Sequence, residues 1–297
     1  LIALEAGPDE FGRVAWQGGT DLGGHKVGAA FVGANFGGYR DDSGYGQQKL
    51  SLSQLADVSG WAVRSHLTAT LLNQETGGYV RGEEAYKDAD LRTSNPNPEA
   101  YRDAWSLRVN SEFSRDAWTI RPYARRSQMQ FLQHFLPGQP LEENEQSSLG
   151  VIIDHASDNG TTQLNLGGQI ELMSGHLREF QDQATTGSAF LVATRPAGLH
   201  YDYDVSSTLF AGFYNLEHSL SASTRLVHSL RAEILSYDYT NNHLVGNTKD
   251  DGTACGFGGC LYTRPASRKD DFTNLGARFG VERDTHCLLY TSDAADE

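Results

Sequence analysis

The sequence predicts an all-β fold: an antiparallel, up-and-down transmembrane β-barrel, present in part, with long loops on one side and short turns on the other. Three observations predict it. Strand-like segments are joined by tight polar turns and by long loops rich in Gly, Asp, Asn and Pro. Within the segments, apolar and polar residues alternate with the two-residue period of a strand. Short and long connections also take turns along the whole chain, which puts every long loop at the same end. A membrane barrel has this asymmetry, with tight turns at one membrane face and long loops at the other. A soluble barrel has no physical reason to gather its long loops at one end.

The elements follow in order. A first strand and a loop at 7–12 precede a polar turn at 20–26 (TDLGGHK), and a second short turn lies at 58–61 (VSGW). Beyond it Leu67, Ala69 and Leu71 share one face, and His66, Thr68 and Thr70 the other. A long loop spans 79–104. Leu107, Val109 and Phe113 then oppose Arg108, Asn110 and Glu112, and a turn at 114–118 (SRDAW) closes that segment. The turn at 157–163 (SDNGTTQ) leads into the clearest strand, 163–172. Leu164, Leu166, Ile170 and Leu172 lie on one of its faces, and Gln163, Asn165, Gln169 and Glu171 on the other. A loop at 184–205, a turn at 221–224 (SAST) and a loop at 239–271 come next. Leu275, Ala277, Phe279 and Val281 finally alternate with Asn274, Arg278 and Glu282. About twelve such segments are present, and helix-period stretches of comparable length are missing.

No run of about 18 apolar residues exists, so no transmembrane helix is expected. The mean hydropathy of −0.48 leaves a membrane barrel open, because only every second residue of such a barrel is apolar. A net charge of −14 argues against nucleic acid, whose phosphates need a basic surface. Alternation alone does not say what the apolar face meets. A soluble β-sandwich would bury it, with Leu164 and Leu166 inside. A membrane barrel would turn it to lipid. The segments reach the roughly 9–11 residues needed to cross a bilayer at a tilt. Trp16, Trp61, Trp105, Trp118, Tyr237 and Tyr239 gather at segment ends, where an aromatic girdle would sit. The competing readings are a passive porin-type channel and a soluble β-sandwich that binds or hydrolyses carbohydrate.

Several phrases resemble the barrel of a TonB-dependent outer-membrane receptor. They are GYRDDSGYGQQKL at 38–50, LNQETGGYVRG at 72–82, TSNPNPEAYRDA at 93–104, PYARRSQMQFLQHFLPGQPLEEN at 122–144, HYDYDV at 200–205 and CGFGGCLYTRP at 255–265. The resemblance covers most of residues 1–284. It implies a barrel of about 22 strands around an N-terminal plug, in the cell outer membrane. Cargo binds to the outer loops and the plug, and a TonB complex in the inner membrane pulls on the plug. A ferric siderophore is the default cargo; cobalamin, haem and an oligosaccharide are the alternatives. The ferric chelate would be transported ligand rather than cofactor, and no cofactor is expected. Outer-membrane lipid is the remaining implied partner. Residues 1–284 are expected to be part of the barrel domain, with plug and TonB box absent. Residues 287–297 (CLLYTSDAADE) resemble a translated sequencing adapter, so 285–297 are expected to be a non-native tail.

No enzyme is expected. G-x-S-x-G, H-E-x-x-H and P-loop motifs are missing from the sequence. Glu142, Glu143 and Glu145 are read as one solvated loop, as are Glu83 and Glu84. DDSG at 41–44 and DDG at 250–252 lack the full ligand series of a calcium loop and read as turns. Cys255 and Cys260 enclose a glycine-rich stretch in an outer loop. A disulfide fits that spacing better than a structural metal site, which usually takes four ligands at closer spacing, and no metal site is expected. The candidate ligand contacts are Arg81, Tyr101, Arg102, His134, His200, Tyr201 and Arg264, in outer loops or at strand tips, with Tyr79, Tyr86, Phe135, Tyr203, Tyr262 and Arg268 beside them. Arg would attract an acidic ferric chelate, and aromatic rings would stack on a flat chelator.

Overall fold

The structure, a computed structural model, describes residues 1–284; the expected non-native tail at 285–297 lies outside the described residues. Twelve antiparallel strands form one sheet in simple sequence order. They are β1 (Ile2–Ala6), β2 (Gly12–Leu22), β3 (His25–Phe36), β4 (Tyr45–Val58), β5 (Trp61–Glu75), β6 (Tyr101–Arg115), β7 (Trp118–Leu132), β8 (Leu141–Asp158), β9 (Thr162–Gln181), β10 (Gly198–Ser221), β11 (Thr224–Asn241) and β12 (Arg268–Arg283). Two short α-helices, α1 (Ala89–Thr93) and α2 (Ala189–Thr194), and one turn of 3-10 helix at Ala85–Lys87 sit in loops. Among the described residues β1 and β12 do not pair with each other, so the sheet is open.

Turn chemistry sets the hairpin register. Gly23 and Gly24 have φ of 62° and 89°, and Ser59 and Gly60 have φ of 54° and 78°. Two left-handed central residues make the hairpin turn whose twist matches its strands. In each turn the aspartate before it, Asp21 or Asp57, accepts a hydrogen bond from the glycine N–H three residues on, at 2.8 and 3.2 Å. Pro122 lies inside β7 and brings no N–H to the ladder. The β6–β7 pairing accordingly skips from Asn110–Tyr123 to Phe113–Ile120.

All five short connections read from the sequence are the tight turns, and all long ones lie at the opposite end. The strands, however, run further into the long-loop end than the sequence suggested. Tyr101–Ala104 belong to β6, and β10 starts at Gly198 rather than after Val205. Glu142, Glu143 and Glu145, read as a loop, stand in β8. There they pair in register with Glu179, Arg178 and His176 of β9. Cross-strand partners on both sides hold these polar segments extended, which a single-sequence pattern does not reveal.

The two faces are chemically distinct. On one, Leu52 and Val109 flank Leu67, and Val151 and Phe210 flank Ile170 in register. Leu166, Leu275 and Phe279 on this face are 57%, 72% and 73% exposed. Among the described residues no second layer covers it, so the β-sandwich reading, which buries Leu166, is overturned. Trp16, Trp61, Trp105 and Trp118 share the apolar face. Tyr237 and Tyr239 do not: they are out of phase with the apolar Ile234 on β11, so they leave the girdle.

The other face carries a hydrogen-bonded polar wall. Arg121 joins Glu112 at 3.0 Å and also Asp154, which is buried. Glu171 accepts from Tyr123 at 2.5 Å and from Arg125. Gln169 donates to Tyr123 at 2.9 Å and accepts from Arg231 at 3.0 Å, and Arg231 donates to Glu233 at 2.9 Å. A face that pairs its charges side by side suits a polar lumen, and the bare apolar face suits hydrocarbon.

Candidate functional site

The long loops interlock at one end of the sheet. Loops 37–44 and 76–100 form one knot. The Arg40 guanidinium donates to the Ser94 carbonyl at 2.9 and 2.7 Å, and Asn95 donates to the Asp42 carbonyl at 2.7 Å. Asp88 caps α1 by accepting from the Asp90 and Leu91 N–H groups, both at 3.0 Å.

Loops 182–197 and 242–267 form a second, tighter knot. The N–H groups of Gly256 and Leu261 donate to the Ala193 and Thr194 carbonyls of α2 at 3.1 and 2.9 Å. Cys255 and Cys260 are joined in a disulfide with Cα atoms 5.0 Å apart, and both are buried against Tyr262. Arg264 is 1% exposed. Its guanidinium donates to the carbonyls of Leu244, Leu199, His200, Thr248 and Lys249 and to the Thr248 hydroxyl. These acceptors come from both sides of the knot, so one buried cation ties loop 242–267 to the start of β10. It also lies over the Tyr262 ring, 5.4 Å from its centroid.

His200 owes its position to a β-bulge. The β9–β10 pairing passes from Leu199–Phe180 to Tyr201–Glu179 and leaves His200 as the extra residue. A bulge re-aims a side chain, and here the imidazole is wholly buried. It stacks on Tyr262 with centroids 4.2 Å apart. Its Nε2 donates to the Pro196 carbonyl at 2.8 Å, and Nδ1 meets Glu179 Oε1 at 3.0 Å. Tyr201, half-buried, packs on the same ring. Loop 133–140 abuts this knot. Gly138 has φ of 81° and sits where any Cβ would strike Gln181.

The structure therefore brings His200, Tyr201 and Arg264 together, with the first and last enclosed by the loops. The other candidates stand apart. Arg81 is exposed; its Nη2 donates to the Tyr79 hydroxyl at 2.7 Å and it lies over that ring. Arg102 donates to Gln74 at 2.5 Å across the β5–β6 ladder, and Tyr101 opposes Glu75. His134 lies 3.4 Å from the Thr76 hydroxyl and edge-on to Phe131 and Phe135. Sequence reasoning missed Arg40, Glu179, Gln181 and Arg195. As single residues they read as ordinary polar side chains of loops and strand ends, and only the interlocking of distant loops buries Glu179, Gln181 and Arg195. Among the described residues no group of three His, Cys, Asp or Glu side chains is placed to hold a metal ion.

Burial pushes the Tyr262 phenol above its ordinary range, and nearby Arg264 partly offsets this. Burial and then the Arg264 charge hold His243 below the usual histidine value. Hydrogen bonds from the Thr253 hydroxyl and then its N–H hold Asp251 low.

No family model and no curated protein matches the sequence. Solved structures do. The ferric-catecholate import receptor Fiu from E. coli K12, in its open form, superposes with a TM-score of 0.66 at 13% identity, over 95% of this chain and 52% of its own. The siderophore receptor PiuA from Acinetobacter baumannii gives 0.64 at 12%, over 94% and 46%. The unliganded ferric citrate transporter FecA gives 0.61 at 11%, over 94% and 40%. The chain has the fold of a TonB-dependent receptor barrel. It spans about half the length of Fiu. In a receptor barrel the exposed apolar face is the lipid face, the polar wall lines the lumen and the interlocked loops crown the outer end.

Proposed function

We propose that this chain is part of a TonB-dependent receptor in the outer membrane that imports a scarce nutrient, with a ferric siderophore as cargo. The observation that carries the reading is the pairing of an uncovered apolar belt with packed loops at one end only, on a fold shared with siderophore receptors. The cargo meets the exposed loop side chains. Arg81 stacked on Tyr79 presents a cation and a ring together, and His134 with Phe135 presents a second aromatic surface. Tyr101 and Arg102 stand at the long-loop end of β6. An acidic chelate gains charge-assisted hydrogen bonds from Arg, and flat chelator rings gain stacking. His200, Tyr201 and Arg264 act from behind by fixing the shape of the second knot. The TonB complex engages the intact receptor through its plug.

The test is uptake of radiolabelled iron as siderophore complexes. The host is a strain stripped of its own receptors and given the full reading frame that contains this chain. Saturable uptake that disappears on deleting TonB is expected. Arg81→Ala should weaken cargo binding about tenfold, the worth of one hydrogen bond to a charged group. Uptake that is linear in concentration and indifferent to TonB would leave the passive channel as the better reading.

A further inference from the structure

The turn between β8 and β9 holds a reactive arrangement at the end opposite the long loops. Asn159–Gly160 is the one Asn–Gly pair in the chain. Both residues are exposed. Gly160 has φ of 83°, and nothing lies within 4 Å of where a Cβ would stand. Its N–H donates to Asp158 Oδ1 at 2.7 Å, while Gln163 holds Asp158 Oδ2 at 3.0 Å. The Asn159 side-chain oxygen accepts from the N–H groups of Thr161 and Thr162 at 3.1 and 2.8 Å.

We infer that this turn is a self-modification site, at which Asn159 converts to aspartate or isoaspartate with Asp158 as the positioned base. The Gly160 nitrogen attacks Asn159 Cγ and gives its proton to Asp158. A carboxylate at 2.7 Å is within reach of a general base. Negative charge develops on Asn159 Oδ1, where the Thr161 and Thr162 N–H groups already point, at the distances of an oxyanion hole. Collapse breaks the Cγ–Nδ2 bond, and the amide leaves as ammonia with the proton returned by Asp158. The cyclic imide that remains is opened by water at either carbonyl, giving aspartate or isoaspartate. The sum is asparagine plus water to acidic residue plus ammonia, with no redox change. The isoaspartate product adds a methylene to the main chain and breaks the match between the Asn159 side chain and the two threonine amides. It also places a second acid beside Asp158. The inference does not depend on the cargo or on TonB.

The test follows peptides covering residue 159 by mass spectrometry in the full chain, incubated at neutral pH and 37 °C. One sample is folded in detergent, with its β-structure verified by circular dichroism beforehand, and one is unfolded in urea. Conversion at residue 159 should be about tenfold faster in the folded sample, well short of the 10²–10⁴ of a tuned catalytic base. Asp158→Ala should remove that advantage in the folded chain and leave the urea rate unchanged. Asn159→Gln, which lengthens the side chain, should abolish ammonia release from this turn. A folded rate equal to or below the urea rate, or a folded rate untouched by Asp158→Ala, overturns the inference.

Discussion

Ile170→Arg tests what meets the apolar face. Ile170 stands in β9 between Val151 and Phe210 on that face and is 44% exposed. Ile170→Ala serves as its control, because it removes the same two cross-strand pairs without adding charge. Those pairs are worth about 0.2–1 kcal/mol each and cancel in the comparison. If the face meets lipid, an arginine near the bilayer midplane costs about 2–4 kcal/mol more than alanine. If it meets water, a half-exposed position tolerates arginine within about 0.5 kcal/mol. The assay is urea unfolding, followed by tryptophan fluorescence, of the receptor that carries this chain, folded into phospholipid vesicles. An Arg-minus-Ala difference below about 0.5 kcal/mol would refute the lipid assignment, however well the sheet superposes on receptor barrels.

Three further outcomes are expected. Arg264→Met should cost about 3 kcal/mol or more, because several carbonyls inside the knot lose their donor and each buried acceptor left unsatisfied costs about 1–3 kcal/mol. Amide exchange should quicken at Gly246 and Arg264, which bond to each other across loop 242–267, while β8 and β9 stay protected. Reducing Cys255–Cys260 should lower stability by no more than about 2–3 kcal/mol, because the closed ring is short. Limited proteolysis should then cut first near Phe257, with the sheet intact. His243 titrates below the ordinary histidine value, so the unfolded chain binds its proton first as pH falls. Its contribution is present above about pH 6.5 and is lost below that, so the protection factors of the loop amides, taken against the intrinsic exchange rate at each pH, should fall between neutral and mildly acidic pH. Arg264→Met should raise the His243 value as read by NMR titration, since the Arg264 charge is the second cause of its depression.

The loop knots also limit how the seven ligand candidates can be ranked. Arg81 and His200 look alike from sequence, as polar loop residues near aromatics. The structure exposes one and encloses the other. On the proposed function, ligand-binding measurements on Arg81 test for direct contact, whereas those on His200 or Arg264 test the shape of the loop. Glu142, Glu143 and Glu145 teach the same lesson from the other direction: a run that looks solvated is strand because β7 and β9 flank it.

What the sequence determined alone is the local part. Alternation in segments such as 163–172 follows from the two-residue period of an extended chain, and turns such as 58–61 follow from residues that accept positive φ. Both depend on neighbours in sequence, so they can be read without coordinates. Only the tertiary structure decided which residues the loops swallow. His200 is buried because a bulge against Glu179 turns it inward. Arg264 is buried because carbonyls from residues 199–200 and 244–249 converge on it. Tyr237 left the girdle because pairing of Ile234 with Phe210 of β10 decided which of the two phases of β11 lies on the apolar face, and Tyr237 is in the other phase. Each of these depends on segments far apart in the chain, and no local pattern carries that information.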